Sequence, residues 1–359
     1  MKKRFILALG YLGFILIVFE ILCRITLAIP WTAKKLFTDD DLSWRREWVS
    51  RHRPGTAFYL SFDKYDETKG WFTKPNLRDE IVFENKILNT NSRGLRGLRD
   101  FSYARNQGIP RIVILGDSFT FGDEVSDDET YSHYLQQMLP AAEIINMGVH
   151  GYGHDQMLIL LGEEGVKYQP DVVILGFNSF DMRRNLRRFR DYAKPMFDID
   201  GDGLRLTNSP VDPPDDILRF DWARPRIHDC WSIINLRFRV LTGRYQKDEE
   251  ERTRRILDEL VDTIEGIGAR PVFIYLPGDR ELATARQTPA AETFLLAYGQ
   301  SNGRVICALA RNHFLNKMEQ GIEFKTVGHW GPPGHLTVAE AIRDLLIDED
   351  LIRTAQGPQ

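Results

Sequence analysis

Between Arg111 and Leu309 five short apolar runs, all unbroken but the second, which holds Glu143 and Asn146, alternate with longer stretches in which apolar residues return every third or fourth position. The runs cover residues 112–115, 143–147, 172–175, 272–276 and 305–309. A strand covered on one face alternates apolar with polar residues. An unbroken run is covered on both faces, as in a parallel sheet between two helical layers. In the stretches between, Tyr131, Tyr134, Leu135, Met138 and Leu139 share one helical face, and Ser126 with Glu129 stands before them at capping-box spacing. Ile256, Leu257, Leu260, Val261 and Ile264 line a helix predicted over residues 248–266, and a last helix is expected over about 336–346. The alternation predicts a doubly wound α/β domain with a flavodoxin-like, five-stranded parallel sheet.

The chain has 359 residues, enough for one elaborated domain. Its first thirty residues have a different pattern. Lys2, Lys3 and Arg4 precede an apolar run over 5–19, which continues to residue 29 with Glu20 and Arg24 as its only charges. A membrane span needs about 20 residues, and the two charges, four apart, can pair near one interface. The cations favour a cytoplasmic N-terminus and an exported body, periplasmic or extracellular. An uncleaved anchor over 1–30 is expected rather than a cleaved signal peptide, because no small-residue cleavage signature follows the run. The formal charge of −4 gives no support to a nucleic-acid partner. Three cysteines, Cys23, Cys230 and Cys307, exclude a disulfide framework and leave one bond, Cys230 to Cys307, open.

Residues 31–64, with Trp31, Trp44 and Trp48, read as a stalk with some helix, and the main body as 65–350. Turns and small strands are expected around Gly70-Trp71 and Asn91-Ser-Arg-Gly94. An insertion interrupts the alternation at about 183–242. Its Asp198-Ile-Asp-Gly-Asp-Gly203 resembles the start of a calcium loop, but the twelfth position is Ser209 instead of a bidentate glutamate, so a glycine-rich hairpin turn is expected.

Chemistry gathers at the ends of the apolar runs, where α/β sheets bind ligands. The first run ends in Gly116-Asp-Ser118, which places a hydroxyl at a strand-to-helix turn. A second block is Asn146-Met-Gly-Val-His-Gly151-Tyr-Gly153, a third is Gly176-Phe-Asn178-Ser-Phe-Asp181, and a fourth is His329-Trp-Gly-Pro-Pro-Gly-His335. Taken together, these blocks resemble the SGNH/GDSL hydrolase superfamily, over about residues 111–339. Gly70-Trp71 and Asn91-Ser-Arg-Gly94 extend the likeness toward membrane-anchored members associated with surface polysaccharides. The resemblance implies Ser118 as nucleophile and His329 as its base. It implies an oxyanion hole made by the amides of Ser118 and Gly151 and the side chain of Asn178. It further implies an esterase or acyl-transfer enzyme acting on carbohydrate esters, with no cofactor or metal, beside an envelope polysaccharide machinery.

Two departures from the family pattern stand out. Asp181 fits the third block in a register that would put Phe180 where an asparagine is expected. The aspartate expected two or three residues before the catalytic histidine is replaced by Thr326 and Val327. Glu323 is the nearest earlier carboxylate; Asp181, Glu323 and His335 are the candidate supporting residues, His335 being either a rival to His329 for the base or a helix-start hydrogen-bonding group. The missing aspartate motivates a rival reading, a weak or inactive domain that binds glycan or scaffolds an envelope assembly. A metal set of His150, His154, Asp155 and Asp181 matches no zinc spacing. Arg183, Arg184, Arg187, Arg188 and Arg190 read as a solvated helix face or an anion-binding cluster.

Overall fold

The structure, a computed structural model, describes residues 2–29, 40–55, 61–106, 108–284, 287–325 and 327–352. Helix α1 (Lys2–Ala28) is exposed along most of its length and meets the body through its last turns, and α2 (Asp41–Arg51) packs on the body. Then follow β1 (Arg111–Gly116), α3 (Ser118–Phe121), α4 (Tyr131–Met138), β2 (Glu143–Gly148), α5 (His154–Glu163), β3 (Val172–Phe177) and α6 (Ser179–Arg184). After the insertion come α7 (Arg226–Leu241), α8 (Arg244–Gly266), β4 (Arg270–Tyr275), α9 (Ala290–Asn302), β5 (Ile306–Leu309) and α10 (Pro332–Asp348). The strands pair in the order β5-β4-β3-β1-β2, all parallel, so the five apolar runs are the five strands of a flavodoxin-like sheet.

Alternate residues of each strand feed two separate cores, which is why the runs are unbroken. Val113 and Leu115 face α5, α8 and α9 through Leu160, Leu257 and Leu295. Ile112 and Ile114 face α4 and α10 through Leu135, Val338 and Ile342. The order reverses between β1 and β3, and Ser118 leaves the carboxyl end of β1 at that switch point.

Several expectations are corrected. The stretch read as a stalk includes α2, which is docked: Trp48 is 2% exposed and packs against His52 and Tyr192 with ring centroids at 4.5 and 5.0 Å. Trp31 lies outside the described residues. Glu129 closes on the Ser126 amide at 2.8 Å, but that box caps a single 3-10 turn; Thr130 caps α4 by accepting from His133 N at 3.2 Å. Helix α10 starts four residues early, because prolines at its first two positions lack amides a helix start does not use. Strands Met196–Asp200 and Gly203–Thr207 form the expected hairpin, and Asp198 is bound by Arg252 at 3.0 Å and Arg188 at 3.3 Å. All three cysteines are free thiols, and Cys230 lies against Cys23, not Cys307. Among the described residues α1 is the one helix long and apolar enough to cross a membrane, and its Glu20 and Arg24 pair at 2.7 Å.

Candidate active site

The Ser118 turn is held from below by the second block. Asp117 caps α3, its Oδ1 accepting from Phe119 N at 3.0 Å. Asn146 Nδ2 donates to Thr120 O at 2.8 Å, and a Cβ on Gly148 would run into the backbone of Thr120 and Phe121. Only glycine at the end of β2 therefore lets the serine turn sit against it. Ser118 itself is 5% exposed.

His329 arrives from the far end of the chain. Trp330, beside it, is buried between Phe119 and Phe314 and donates to Pro277 O at 3.0 Å, which anchors the loop. The imidazole leans on Phe119 and places Nε2 2.8 Å from Ser118 Oγ. Its Nδ1 lies 3.1 Å from Glu124 Oε1. Burial would raise the Glu124 carboxyl, but hydrogen bonds from Lys325 and His329 hold it below its ordinary value. An ionised carboxylate only accepts, so Nδ1 carries the proton and Nε2 is left to take one from Ser118.

Glu124, not Glu323, is therefore the carboxylate behind the imidazole; Glu323 is exposed. The chain after Ser118 doubles back through Gly122 (φ 93°), and Glu124 itself holds φ 66°, a strained value for a residue with a side chain. Arg96 pins this loop from beneath. Its guanidinium donates to Phe121 O at 2.9 Å, Gly122 O at 2.5 Å, Val125 O at 2.6 Å and Asp127 Oδ1 at 2.8 Å. Asp123 points inward with Oδ2 4.0 Å from His329 Nε2, and burial pushes its carboxyl up to about 6. Sequence reasoning missed Glu124, Asp123 and Arg96. The available signal was a pair of acids directly after a glycine, close enough to Ser118 to share its pocket.

Of the expected oxyanion donors, the amides of Ser118 and Gly151 make no hydrogen bond among the described residues. Gly151 has φ 73°, and a Cβ there would strike the Asp191 carboxylate and the Trp71 ring. Asn178 is fully buried: Oδ1 accepts from Phe180 N at 2.9 Å and Nδ2 donates to Leu276 O at 3.1 Å. Nδ2 carries two hydrogens, and Leu276 takes one of them.

Asp181 lies apart from the imidazole. Arg184 Nη1 bonds Asp181 Oδ1 at 2.6 Å, Asp117 Oδ2 at 2.8 Å and Tyr152 O at 3.0 Å, tying the first three blocks together. Arg184 and Arg187 are thus buried, while Arg190 stacks on Trp44 at 3.7 Å. A solvated face does not describe Arg184 and Arg187, whereas Arg188 is exposed and pairs with Asp198 at 3.3 Å as such a face would. His335 is buried and neutral, pulled down to about 3 by burial, and its Nδ1 accepts from Tyr131 N at 3.2 Å. The four residues imagined as a metal set go to separate partners: His150 to Asp63, His154 to Asn185, Asp155 to Lys194 and Asp181 to Arg184.

His150 stands behind Gly151, its Nε2 2.6 Å from Asp63 Oδ2 on the small strand Asp63–Asp66. Burial alone would lower its pKa, yet the Asp63 charge pushes it up to about 9. A raised histidine contributes all its stability below about pH 6.5 and loses it as pH climbs through about 9, up to about 3 kcal/mol. The thermal midpoint is expected to fall from pH 7 to pH 10. His150→Gln, less stable at neutral pH, should lack that step; an equal fall in both proteins would refute the assignment.

No family model and no curated protein matches the sequence. Among solved structures the chain is similar to an acylhydrolase from Bacteroides fragilis (12% identity, TM-score 0.39, 69% of this chain and 90% of that one). It is also similar to a lipase/acylhydrolase from Enterococcus faecalis (14%, 0.38, 67% and 97%). A third similar structure is a mutant of an acetylxylan esterase from Geobacillus stearothermophilus (13%, 0.38, 68% and 97%). At those identities and TM-scores the site is read from its own distances alone.

Proposed function

We propose, for a chain whose motif blocks and sheet order are those of the SGNH/GDSL hydrolase superfamily, that it is a serine esterase or acyl-transfer enzyme working through Ser118, His329 and Glu124. The observation that carries this reading is the continuous line from Ser118 Oγ to His329 Nε2 at 2.8 Å and from Nδ1 to Glu124 at 3.1 Å. Ser118 Oγ attacks an ester carbonyl while Nε2 takes its proton, and Glu124 steadies the imidazolium that forms. The Ser118 and Gly151 amides, with the remaining N–H of Asn178, hold the oxyanion. His329 then returns the proton to the leaving alkoxide, and water or a sugar hydroxyl releases the acyl group. The rival reading as an inactive glycan binder rested on a histidine without a carboxylate, and Glu124 removes that ground.

The substrate class proposed is a carbohydrate O-acyl ester, acetyl first, on an envelope polysaccharide. The similar structures include an acetylxylan esterase and a two-domain esterase active on acetylated mannans. The cations Lys2, Lys3 and Arg4 before the apolar helix support an anchored, exported body. The test is a fluorophosphonate probe applied to the full chain in detergent. It should label the peptide carrying Ser118; a folded chain that takes up no label, or takes it elsewhere, overturns the proposal. Acetyl release from an acetylated oligosaccharide without added acceptor assigns hydrolysis, and release only with an acceptor sugar assigns transfer.

A further inference from the structure

Helix α7 leaves one face uncovered. At about 100° per residue Ile227, Trp231, Ile234, Phe238 and Leu241 fall within an arc of about 80°. The last four of these are exposed by 53% to 86%, and Phe220 and Trp222 just before the helix are exposed as well. The other side of α7 buries Asp229 and Ile233 against the body. Scattered apolar side chains on a surface need no explanation, but a contiguous stripe of this size marks an interaction surface.

The neighbour of this stripe indicates what covers it. The Glu20 carboxylate of α1 accepts from the first amides of α7, Arg226 N at 3.0 Å and Ile227 N at 2.9 Å. Arg24 donates to Trp222 O at 3.0 Å and Arg224 O at 3.1 Å. Cys23 lies against Cys230, and Leu27 clusters with Ile233. The last turns of α1 and the first turns of α7 therefore run side by side in the same direction. Phe220, Trp222 and Trp231 stand at the level of Glu20 and Arg24, where an apolar span gives way to charge.

Ahead of Glu20 the apolar stretch of α1, residues 5–19, is about 22 Å long, against a hydrocarbon core of about 30 Å, so a spanning α1 draws the level of Glu20 and Arg24 into the membrane boundary. The start of α7, bonded to Glu20 and Arg24, then carries Phe220, Trp222 and Trp231 to the membrane surface. Tryptophan at this depth is the interfacial pattern, and Arg244, 5.7 Å from the Phe238 ring, borders the stripe where headgroup phosphates would lie.

We propose that the uncovered face of α7, with Phe220 and Trp222, is seated in the headgroup–acyl boundary of the bilayer and fixes the body's orientation on the membrane. This rests on the reading of α1 as a membrane anchor. A second copy of the chain, or a membrane helix of another protein, is the alternative occupant.

The test uses the full chain reconstituted in phosphatidylcholine vesicles with or without brominated acyl chains. Helix α1 holds no tryptophan, and Trp31 stays in both proteins compared, so the difference between wild type and W222F/W231F reads these two residues alone. Brominated lipid should quench wild-type emission, and the double variant should lose at least half of the quenchable part while keeping fluorophosphonate labelling. Carbonate extraction checks the anchor separately: a chain released by carbonate refutes the anchor and with it this proposal. A chain that resists extraction but is quenched equally in both forms refutes the α7 contact alone. Disulfide cross-linking between copies through Trp231→Cys would assign the face to a second copy and likewise overturn it.

Discussion

Glutamine in place of Glu124 is expected to lower kcat about 10³-fold, with KM little changed, whereas alanine at Ser118 or His329 removes about 10⁶-fold. A fully buried triad carboxylate replaced by its amide costs about 10⁴-fold, because the imidazole turns to the wrong tautomer. Glu124 is about one-third exposed and shares its charge with Lys325, so water can partly stand in for it, and a smaller loss is expected. Glu323→Gln, in an exposed segment, should leave kcat within about twofold. Steady-state kinetics on an acetylated oligosaccharide, with circular dichroism to confirm folding, distinguishes the two glutamates. Wild-type kcat in Glu124→Gln, or a large loss in Glu323→Gln, would show that the imidazole is oriented from elsewhere.

Glu124 was hidden because the family pattern directs attention upstream of the histidine. Here the carboxylate comes from the nucleophile's own loop, 205 residues away in sequence. The path depends on two left-handed residues in close succession, Gly122 and Glu124, and on Arg96 holding three carbonyls of that turn. Gly122, four residues after Ser118, is plain in the sequence. The left-handed glutamate and the arginine that pins its loop are tertiary facts with no local signature.

The sheet was legible for the opposite reason. Strands such as Ile112 to Leu115 are apolar on both faces, so their pattern is set by burial and needs no partner to be read. Ser118 and His329 were singled out through the family resemblance of their blocks, whose glycines and prolines mark a strand end and the start of α10. The docking of α2 was not legible, since Trp44 and Trp48 lie among charges and their partners, Arg190 and Tyr192, sit about 145 residues on. Arg184 and Arg187 after the third block were misread likewise: a run of cations looks solvated until the buried carboxylates that meet it are known.

Arg184→Met should cost about 3–5 kcal/mol of stability, the largest single-residue loss expected in the body. The guanidinium is buried against two carboxylates, Asp117 at 2.8 Å and Asp181 at 2.6 Å, and the Asp181 carboxyl is pushed well above its ordinary range by burial and by the Asp117 charge. Removing the cation leaves two acids facing each other without solvent, and at least one must bind a proton for the fold to persist. That protonation spreads to function, because Asp117 also caps the Ser118 turn. The variant should therefore be relatively more stable at acid pH, where the proton is freely supplied, than at pH 8. Arg184→Lys should recover only part of the loss, since its shorter side chain must carry the ammonium to the place of Nη1, which alone meets Asp117, Asp181 and Tyr152 O. Urea unfolding of the full chain in detergent at pH 5 and pH 8 measures both effects. A midpoint within experimental error of wild type, or a loss that does not change with pH, would mean the carboxylates find other partners and that Arg184 does not hold the three blocks together.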